Sequence, residues 1–280
     1  MPVDIARLQT WIGKTETRTD QITIAPIAAL SATFDRDDAE PRPGDPLPPL
    51  WHWLYFLPRE RQSELAPDGH AHRGGFVPPV PLPRRMWAGN KQEFYRPLRV
   101  GETVTRQSKI LDVRSKEGRT GPLVFVRVRH EIGDALVEEH EIAYRDKAKP
   151  GDVMPPATPA PSRSQWERTI QPDDVLLFRY SALTFNGHRI HYDRRYATEV
   201  EGYPGLVVHG PLIASLLADL LRRSLPDAIV TSLTFRAMSP LFDTAPFTVC
   251  GQPEDNGNAV RLWARNAAGG LAMDATATLK

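Results

Sequence analysis

The sequence predicts an α+β fold made of two similar units, each combining an antiparallel sheet with a buried apolar segment. Two series of strand-like runs, separated by Gly-rich and Asp-Gly turn signals, support this prediction. The runs lie at 85–94, 103–113, 123–131 and 136–144, and again at 228–236, 246–251, 259–265 and 271–279. In both series the strands follow a leader and a buried apolar segment, which favours an internal duplication. Two unrelated α+β domains remain the alternative.

The leader of the first unit is the least regular part of the chain. Residues 1–34 predict a short helix and then a strand-like stretch, Gln21–Ala29. Residues 35–49 and 58–83 are rich in proline and polar residues, which is typical of loops. Between them, the aromatic run 50–57 is too short for its periodicity to distinguish a helix from a strand.

The second unit contains the longest apolar periodic segment. Leucine and isoleucine recur at helical spacing between Leu212 and Leu221, and alanines cover much of the opposite face. Pro211 suits a first helical turn, and Arg222 and Arg223 suit a last one. This pattern predicts a helix that is buried on most sides.

A proline-rich linker separates the two units. Residues 146–163 contain five prolines and almost no bulky apolar side chain. The predicted organisation is therefore a first unit at 1–145, a linker at 146–163 and a second unit at 164–280. A short echo supports the duplication, F-Y-R-P-L-R-V-G-E-T against F-R-A-M-S-P-L-F-D-T.

The composition excludes several classes of protein. The net charge of +1 gives no basis for a nucleic-acid surface, and no apolar run is long enough to span a membrane. The single cysteine, Cys250, excludes an intrachain disulfide framework and is expected to be a small buried residue. The N-terminus has no signal-peptide pattern. We therefore expect a cytoplasmic protein without a cofactor.

The candidate chemistry lies just before the long helix. Asn186, His188, His191, Tyr192 and Asp193 fall within eight positions, and V-V-H-G-P-L then leads into the helix. A histidine has an ordinary pKa close to neutrality and can serve as a general base without large tuning.

These segments resemble the MaoC-like dehydratase/hydratase family. The resemblance covers nearly the whole chain and is most specific at S-A-L-T-F-N-G-H-R-I-H-Y-D and V-V-H-G-P-L, with support from W-H-W-L-Y-F-L-P and R-R-M-W-A-G. It implies a double hot-dog fold, in which two long helices are each wrapped by an antiparallel sheet. The implied subgroup contains mesaconyl-C4-CoA hydratases and mitochondrial hydroxyacyl-thioester dehydratases.

The resemblance also implies roles for individual residues. His191 matches the family's motif histidine, while Asn186 stands where the motif has an aspartate and His188 where it has an asparagine. His191 is then the catalytic base, with Asn186 orienting the water or the imidazole. His188 is either a second acid/base group or a hydrogen-bond donor to the substrate. The first unit has no counterpart of this motif and is the non-catalytic one.

The remaining candidates surround the helix start and the motif. Gly210 is suited to present its N–H to a thioester oxygen at the positive end of the helix dipole. The candidate substrate-binding residues are Arg189, Tyr192, Val208 and His209. Arg189 is either a partner for a substrate carboxylate or part of a salt bridge with Asp193 or Glu199. His209-Gly210 can also be only a helix start.

A metal site is the weakest of these hypotheses. His188, His191 and Asp193 are residue types that bind Zn²⁺, but an H-x-x-H spacing in a loop is weakly specific. The pair His70 and His72 is weaker still. We therefore expect no metal.

The leading functional prediction is an enzyme, a hydro-lyase that reversibly hydrates a short enoyl-CoA, in particular a branched dicarboxylic one such as mesaconyl-C4-CoA. The first alternative is a (3R)-hydroxyacyl-ACP/CoA dehydratase of fatty-acid type. The second is a catalytically silent hot-dog protein that binds acyl thioesters. The expected partner is the acyl-CoA substrate, with a monomer and a homodimer both left open.

Overall fold

One antiparallel sheet organises the molecule. The computed structural model describes residues 3–118, 121–147, 156–255 and 257–280. Its ten strands follow the order β1-β3-β4-β5-β2-β7-β10-β9-β8-β6. The two central strands, β2 and β7, pair antiparallel from Gly89↔Arg236 to Glu93↔Ser232. The sheet thus consists of two five-stranded groups with the same internal strand order, joined edge to edge through β2 and β7.

The elements of the first half come in the order α1, β1, α2, β2, β3, β4, β5. Their bounds are Ile5–Gln9, Thr15–Gln21, Ile24–Thr33, Arg84–Phe94, Thr103–Gly118, Gly121–Ile132 and Leu136–Arg145. The elements of the second half come in the order β6, α3, α4, β7, β8, β9, β10. Their bounds are Trp166–Ile170, Asp174–Leu183, Gly210–Ser224, Val230–Ala237, Phe247–Pro253, Ala259–Asn266 and Leu271–Leu279.

The eight strands predicted from the sequence are all present, within a few residues at each end. Two further strands, β1 and β6, were not predicted. β1 reads T-E-T-R-T-D-Q and pairs with β3, so its alternation of exposed and half-buried residues carries no apolar signal. β6 pairs only with β8 and forms an edge of the sheet.

The predicted strand at Gln21–Ala29 is wrong, because helix α2 occupies Ile24–Thr33. Pro26 lies in the first turn, where its missing N–H costs no helical hydrogen bond, and alanines follow it. Helix α3 was also missed. Asp173 begins it as an N-cap, accepting a hydrogen bond from the Leu176 N–H at 2.8 Å.

Helix α4 is the predicted long helix, and it is buried along its length. The buried residues are Leu212, Ile213, Ala214, Ser215, Leu216, Leu217, Asp219, Leu220 and Leu221. The one buried charge, Asp219, pairs with Arg36 at 2.7 Å and with Arg168 at 3.0 Å. Because Arg36 belongs to the first half, this carboxylate ties the two halves together on the helix.

The first half has no helix of comparable length among its described residues. Where the second half places α4, between the short helix and the next sheet strand, the first half has a 3₁₀ turn at Trp51–Leu54. A long loop at 55–83 then leads to β2, with one further 3₁₀ turn at Gln62–Glu64. The expectation of two long helices therefore holds for the second half only.

Two sequence predictions concern the periphery. Residues 148–155 of the predicted linker lie outside the described residues, while Pro159 of the same segment forms an isolated bridge with Gly270. Cys250 is fully buried on β8, as predicted, and burial raises the pKa of its thiol to about 11.

No helix within the described ranges is both long and apolar enough to cross a membrane.

Candidate active site

His191 is the central residue of the candidate site. It ends a 3₁₀ turn, Arg189–His191, and its Nδ1 lies 2.7 Å from the backbone oxygen of Val207. Because a carbonyl oxygen only accepts hydrogen bonds, Nδ1 carries the proton and Nε2 keeps a free lone pair. Burial lowers the pKa of His191 to about 4, so the ring is neutral near pH 7. A neutral, oriented imidazole of this kind can accept a proton.

His209 lies directly against this base. The rings of His191 and His209 are stacked, with centroids 3.7 Å apart and planes 18° apart. His209 is fully buried, and its Nε2 lies 2.8 Å from the Ser181 hydroxyl. Burial also holds the pKa of His209 well below its usual value. Because both rings are neutral, they can stack without charge repulsion. His209 therefore fixes the orientation of His191 by contact with one face of its ring.

Helix α4 begins immediately after His209 and presents an unpaired donor. The N–H of Gly210 has no acceptor among the described residues, since the Ile213 N–H is the first to bond back, to His209 at 3.1 Å. The Val208 N–H is taken by Leu241 at 2.9 Å. A side chain added at Gly210 would touch the Trp87 ring at 3.5 Å. Gly210 therefore borders the cavity with a free N–H, and the Trp87 ring lies beside its α-carbon.

Asn186 shapes the loop that carries the histidines. Its Oδ1 accepts the His188 N–H at 3.0 Å, and its own N–H donates to Ser181 at 2.8 Å. The preceding residue, Phe185, has a positive φ of 48°, a conformation that side-chain-bearing residues rarely adopt. The side-chain oxygen of Asn186 thus stabilises a tight turn. Its side-chain NH₂ group is the part that can face the site.

A carboxylate reaches His188 from the first half of the chain. Asp68 Oδ2 lies 3.1 Å from His70 Nδ1, and the His70 ring lies 4.1 Å from the His188 ring. Burial opposes ionisation of Asp68, but the hydrogen bonds and charge of His70 hold its pKa below the usual value. Burial lowers the pKa of His188 to about 2, aided by its neighbours His70 and His191. An acidic group therefore stands behind the histidines, although the motif itself lacks one.

Two glycines allow the loops of the two halves to cross closely. A Cβ at Gly69, whose φ is +90°, would lie 1.8 Å from the backbone oxygen of Gly187. The Arg189 N–H also donates to the Asp68 backbone oxygen at 2.9 Å. No side chain fits between the two segments at this point, so the position of Asp68 is built into the backbone.

Arg189 is paired inside the protein. Its Nη2 lies 2.7 Å from Asp193 Oδ2, its Nη1 donates to the Pro67 oxygen at 2.9 Å, and its guanidinium lies 4.2 Å from the centre of the Tyr196 ring. This is the structural salt bridge that the sequence left as an alternative. Tyr192 is 45% exposed at the rim and donates its hydroxyl to the Gly187 oxygen at 2.9 Å.

One group of side chains in the described part of the chain has metal-ligand spacing. Single ligand atoms of Asp68, His70 and His188 all lie within 4.8 Å of one another. A carboxylate and two imidazoles are ligands that Zn²⁺ accepts. The trio considered from the sequence, His188 with His191 and Asp193, is not the one that the fold assembles.

An aromatic wall lines the cavity beside Gly210. The Trp87 ring makes edge contacts with Trp53 at 5.0 Å, with Phe235 at 4.9 Å and with His140 at 4.9 Å. Behind it, Glu138 is buried and accepts hydrogen bonds from Trp53, from Asn90 and, at 3.1 Å, from His52. An acyl chain directed into this wall meets bulky rings first and buried polar groups next.

The sequence-predicted residues of the second half do converge. His188, His191, Val208 and Gly210 all line one cavity, with His209 packed beneath it. Asp68 was missed, and His70 was considered only with His72 as a weak metal pair, because a Gly-rich loop far away in sequence gives no sign of where it docks. The local sequence signal for these two residues is D-G-H. In it, a glycine that can adopt a positive φ separates an acidic from a basic side chain.

Comparisons with known proteins show the family to which the chain belongs. The family model for hydroxyacyl-thioester dehydratase type 2 matches residues 50–243. A mesaconyl-C(4)-CoA hydratase of Chloroflexus aurantiacus is 48% identical over 273 residues, covering 96% of each chain. The mitochondrial hydroxyacyl-thioester dehydratase type 2 of Schizosaccharomyces pombe is 28% identical over 73% of this chain and 77% of its own.

Solved structures identify the fold. A MaoC-like dehydratase superposes with a TM-score of 0.71 at 15% identity, covering 98% of this chain and 99% of that one. A Mycobacterium tuberculosis protein described as a double hot-dog gives 0.59 at 14% identity, covering 96% of each. Together with the sheet order, these likenesses confirm the α+β double hot-dog fold. The chain belongs to the hydroxyacyl-thioester dehydratase type 2 family and is, like that family, a hydro-lyase.

Proposed function

We propose that this enzyme reversibly hydrates a short, branched dicarboxylic enoyl-CoA of the mesaconyl-C4-CoA type. One observation carries the proposal: the free Nε2 of His191 and the unpaired N–H of Gly210 border the same cavity, next to stacked His209. A base for water and a donor for a thioester oxygen are the two groups that such a hydration needs. The choice of substrate rests on the 48% identical Chloroflexus hydratase.

In the proposed reaction, the thioester oxygen accepts the Gly210 N–H at the positive end of α4. Nε2 of His191 removes a proton from water, and the resulting hydroxide forms a bond to Cβ of the enoyl group. The electron pair of the double bond moves onto Cα and the thioester oxygen as an enolate. The His191 imidazolium then gives its proton to Cα, so that one water has been added and the base is neutral again.

The surrounding residues hold the water and the base. The His188 ring lies 5.3 Å from the His191 ring and at 90° to it. In this position it is suited to accept a hydrogen bond from the second O–H of the water. Asp68 and His70 stand behind His188, and Asn186 holds the turn. The hydrogen bond from His191 Nδ1 to Val207 supports the imidazolium while it exists.

The aromatic wall supports a short acyl group over a fatty-acid chain. Trp87 would be in contact with any side chain at Gly210, and Trp53 and Phe235 brace it edge-on. A long chain would have to pass these rings and then lie against the polar surroundings of Glu138, which line the same cavity. The second candidate, dehydration of longer hydroxyacyl thioesters, is favoured by the relationship to the Schizosaccharomyces enzyme.

The experiment follows the loss of enoyl-thioester absorbance with mesaconyl-C4-CoA, crotonyl-CoA and a C10 enoyl-CoA. We expect the dicarboxylic substrate to be preferred, the C10 substrate to be rejected, and His191→Ala to abolish the reaction. Preference for the C10 substrate would select the fatty-acid-type dehydratase. Tight acyl-CoA binding with no turnover of any substrate would contradict the hydratase and leave a binding protein.

We also propose different roles for the two halves of the chain. Residues 164–280 form the catalytic unit, and residues 1–145 form a supporting unit that supplies the aromatic wall and the Asp68 loop. We also propose a cytoplasmic location, on the basis of the ordinary composition and the single buried cysteine.

A further inference from the structure

Arg85 is a cation of the active-site cavity without an anionic partner. It lies on β2, is half-buried and lines the same cavity as His188 and His191. Among the described residues, its guanidinium makes no hydrogen bond or ion pair. Neighbouring arginines differ: Arg84 pairs with Glu201 at 3.2 Å, and Arg189 pairs with Asp193 at 2.7 Å. Since a half-buried charge without a partner is unfavourable, Arg85 is suited to meet an anion that arrives with a ligand.

The position of Arg85 is fixed by the register of β2. It is paired with Tyr144 on β5 and stands two residues before Trp87. Residues two apart point to the same face of a strand and lie about 7 Å apart along it. The Trp87 ring borders the start of α4, 3.5 Å from the position of a Cβ at Gly210. Arg85 therefore lies one strand repeat away from the proposed thioester site, within reach of its long side chain.

The electrostatic surroundings agree with this position. The charge of Arg85 contributes to lowering the pKa of His70, of His188 and of His140, after the larger effect of burial. Its guanidinium is therefore close to His70 and His188 and also to His140, whose ring contacts Trp87. Arg73 also lines the cavity without an ion pair among the described residues and also lowers the pKa of His70, but its guanidinium is already engaged. It donates to the backbone oxygen of Val80 at 2.7 Å and to that of Pro83 at 2.6 Å.

The substrate class offers two kinds of anion. The phosphates of coenzyme A are separated from the reacting carbons by the full pantetheine arm, whereas the free carboxylate of a mesaconyl group is attached to Cβ itself. Because Arg85 lines the same cavity as His188 and His191 and lies one strand repeat from Trp87, which borders Gly210, the anion in its range is the acyl carboxylate. A guanidinium can hold both carboxylate oxygens at once, which would also orient Cβ.

We propose that Arg85 is a specificity-determining residue that binds the free carboxylate of a dicarboxylic acyl group. This inference rests on the proposed function and names the residue that recognises the substrate class. It also replaces Arg189, the arginine that the sequence motif suggested and that the fold holds in a salt bridge with Asp193.

The test uses Arg85→Gln and Arg85→Lys, with Lys91→Gln as the matched control. Lys91 is on the same strand but exposed, and it has its own partner in Glu93 at 2.8 Å. We expect Arg85→Gln to lower kcat/KM for mesaconyl-C4-CoA by about 10- to 100-fold, chiefly through KM, because a charged hydrogen-bonded pair is lost. Arg85→Lys should recover part of the loss, and crotonyl-CoA hydration should change less than about threefold. The control should leave both substrates unchanged.

A binding measurement separates this proposal from the reaction itself. Succinyl-CoA and butyryl-CoA are saturated, so calorimetric titration reports only recognition of the carboxylate. We expect wild type to prefer succinyl-CoA and Arg85→Gln to lose that preference while its affinity for butyryl-CoA stays the same. Retention of the preference, or equal losses for both ligands, would contradict the role of Arg85 without touching the hydratase. Absence of hydration in the wild type, with the succinyl preference intact, would contradict the hydratase and leave the carboxylate site.

Discussion

The two halves of the molecule have the same strand order but contribute different parts of the site. The first half is ordered β1-β3-β4-β5-β2 and the second β6-β8-β9-β10-β7, so each strand has a counterpart. The halves differ where the second has α4, a 15-residue helix, because the first has a four-residue 3₁₀ turn and a long loop. The helix supplies an oriented donor at its start, and the loop supplies Asp68 and His70. Where the second half has a helix, the first half therefore has a loop that reaches the site of the second.

The buried histidines of the two halves show the same division. His52 of the first half is held by Glu138 at 3.1 Å, so a carboxylate occupies its ring nitrogen. His191 of the second half is held through Nδ1 by a backbone oxygen, and its Nε2 is open to the cavity. Burial alone does not make a histidine a base. A free, oriented nitrogen next to a substrate site does.

Substituting one buried histidine in each half should give the largest difference in activity between the halves. His191→Ala removes the base, and we expect kcat with mesaconyl-C4-CoA to fall by about 10³-fold or more. His52→Gln keeps a donor to Glu138 and should retain activity within about threefold per folded molecule. Steady-state rates, normalised to folded protein by circular dichroism, give the answer. Equal losses in the two variants would mean that the halves are not functionally distinct.

The crossing of the loops is tested by Gly69→Ala. The new Cβ would overlap the Gly187 oxygen, so the Asp68 loop must move, and we expect kcat/KM to fall by about 10- to 100-fold. Gly74→Ala is the matched control. Gly74 also has a positive φ, +100°, but its Cβ would make only an ordinary 3.6 Å contact with Pro79. Both variants should lose about 1 kcal/mol of stability through the positive φ, and Gly69→Ala should lose more because its loop is displaced. Only Gly69→Ala should lose activity. Similar activity in the two would show that the loop contact is dispensable.

The carboxylate of the first half is tested by Asp68→Asn. The amide no longer provides the negative charge that holds His70 and supports His188, and we expect kcat to fall by about 10-fold. Asp134→Asn, at an exposed carboxylate paired with Arg96, should leave kcat unchanged. A full retention of kcat by Asp68→Asn would remove the first half from the chemistry.

The smallest effect is on acid stability. Burial lowers the pKa of His130 to about 4 and that of His140 to about 3, against about 6.5 in an unfolded chain. Below pH 6.5 the unfolded chain therefore binds protons that the folded one does not, and the unfolding free energy falls until the pH reaches the folded values. The loss is at most about 1.4 kcal/mol per pH unit for each histidine.

Urea unfolding at pH 7 and pH 5 measures this effect. His140→Gln should reduce the difference between the two pH values, whereas His72→Gln, at an exposed histidine, should not. An unchanged difference in His140→Gln would mean that its pKa is not lowered by the fold.

Much of the fold could be predicted from the sequence, because apolar alternation and turn residues are local signals. The eight strands with apolar alternation and helix α4 carry such signals, and β1, with polar residues on both faces, does not. At Ile24–Thr33 two local preferences conflicted: β-branched residues at the start favoured a strand, and the alanines after Pro26 favoured the helix that formed.

The candidate site was predictable only where its residues are close in sequence. His188, His191, His209 and Gly210 share one segment and could be found together. Asp68 and Arg85 come from a distant loop and a strand of the other half, and only the three-dimensional fold shows that they border the same cavity. Conversely, the sequence alone could not decide that Arg189 is engaged by Asp193.

The most direct test is a crystal structure of the His191→Ala variant with mesaconyl-C4-CoA, which the lost base leaves unreacted. We expect the thioester oxygen within about 3.2 Å of the Gly210 nitrogen, with Cβ facing the emptied position 191 and the carboxylate on Arg85. An acyl group lying instead among Glu138, His52 and Trp53 would place the chemistry in the first half and contradict the account.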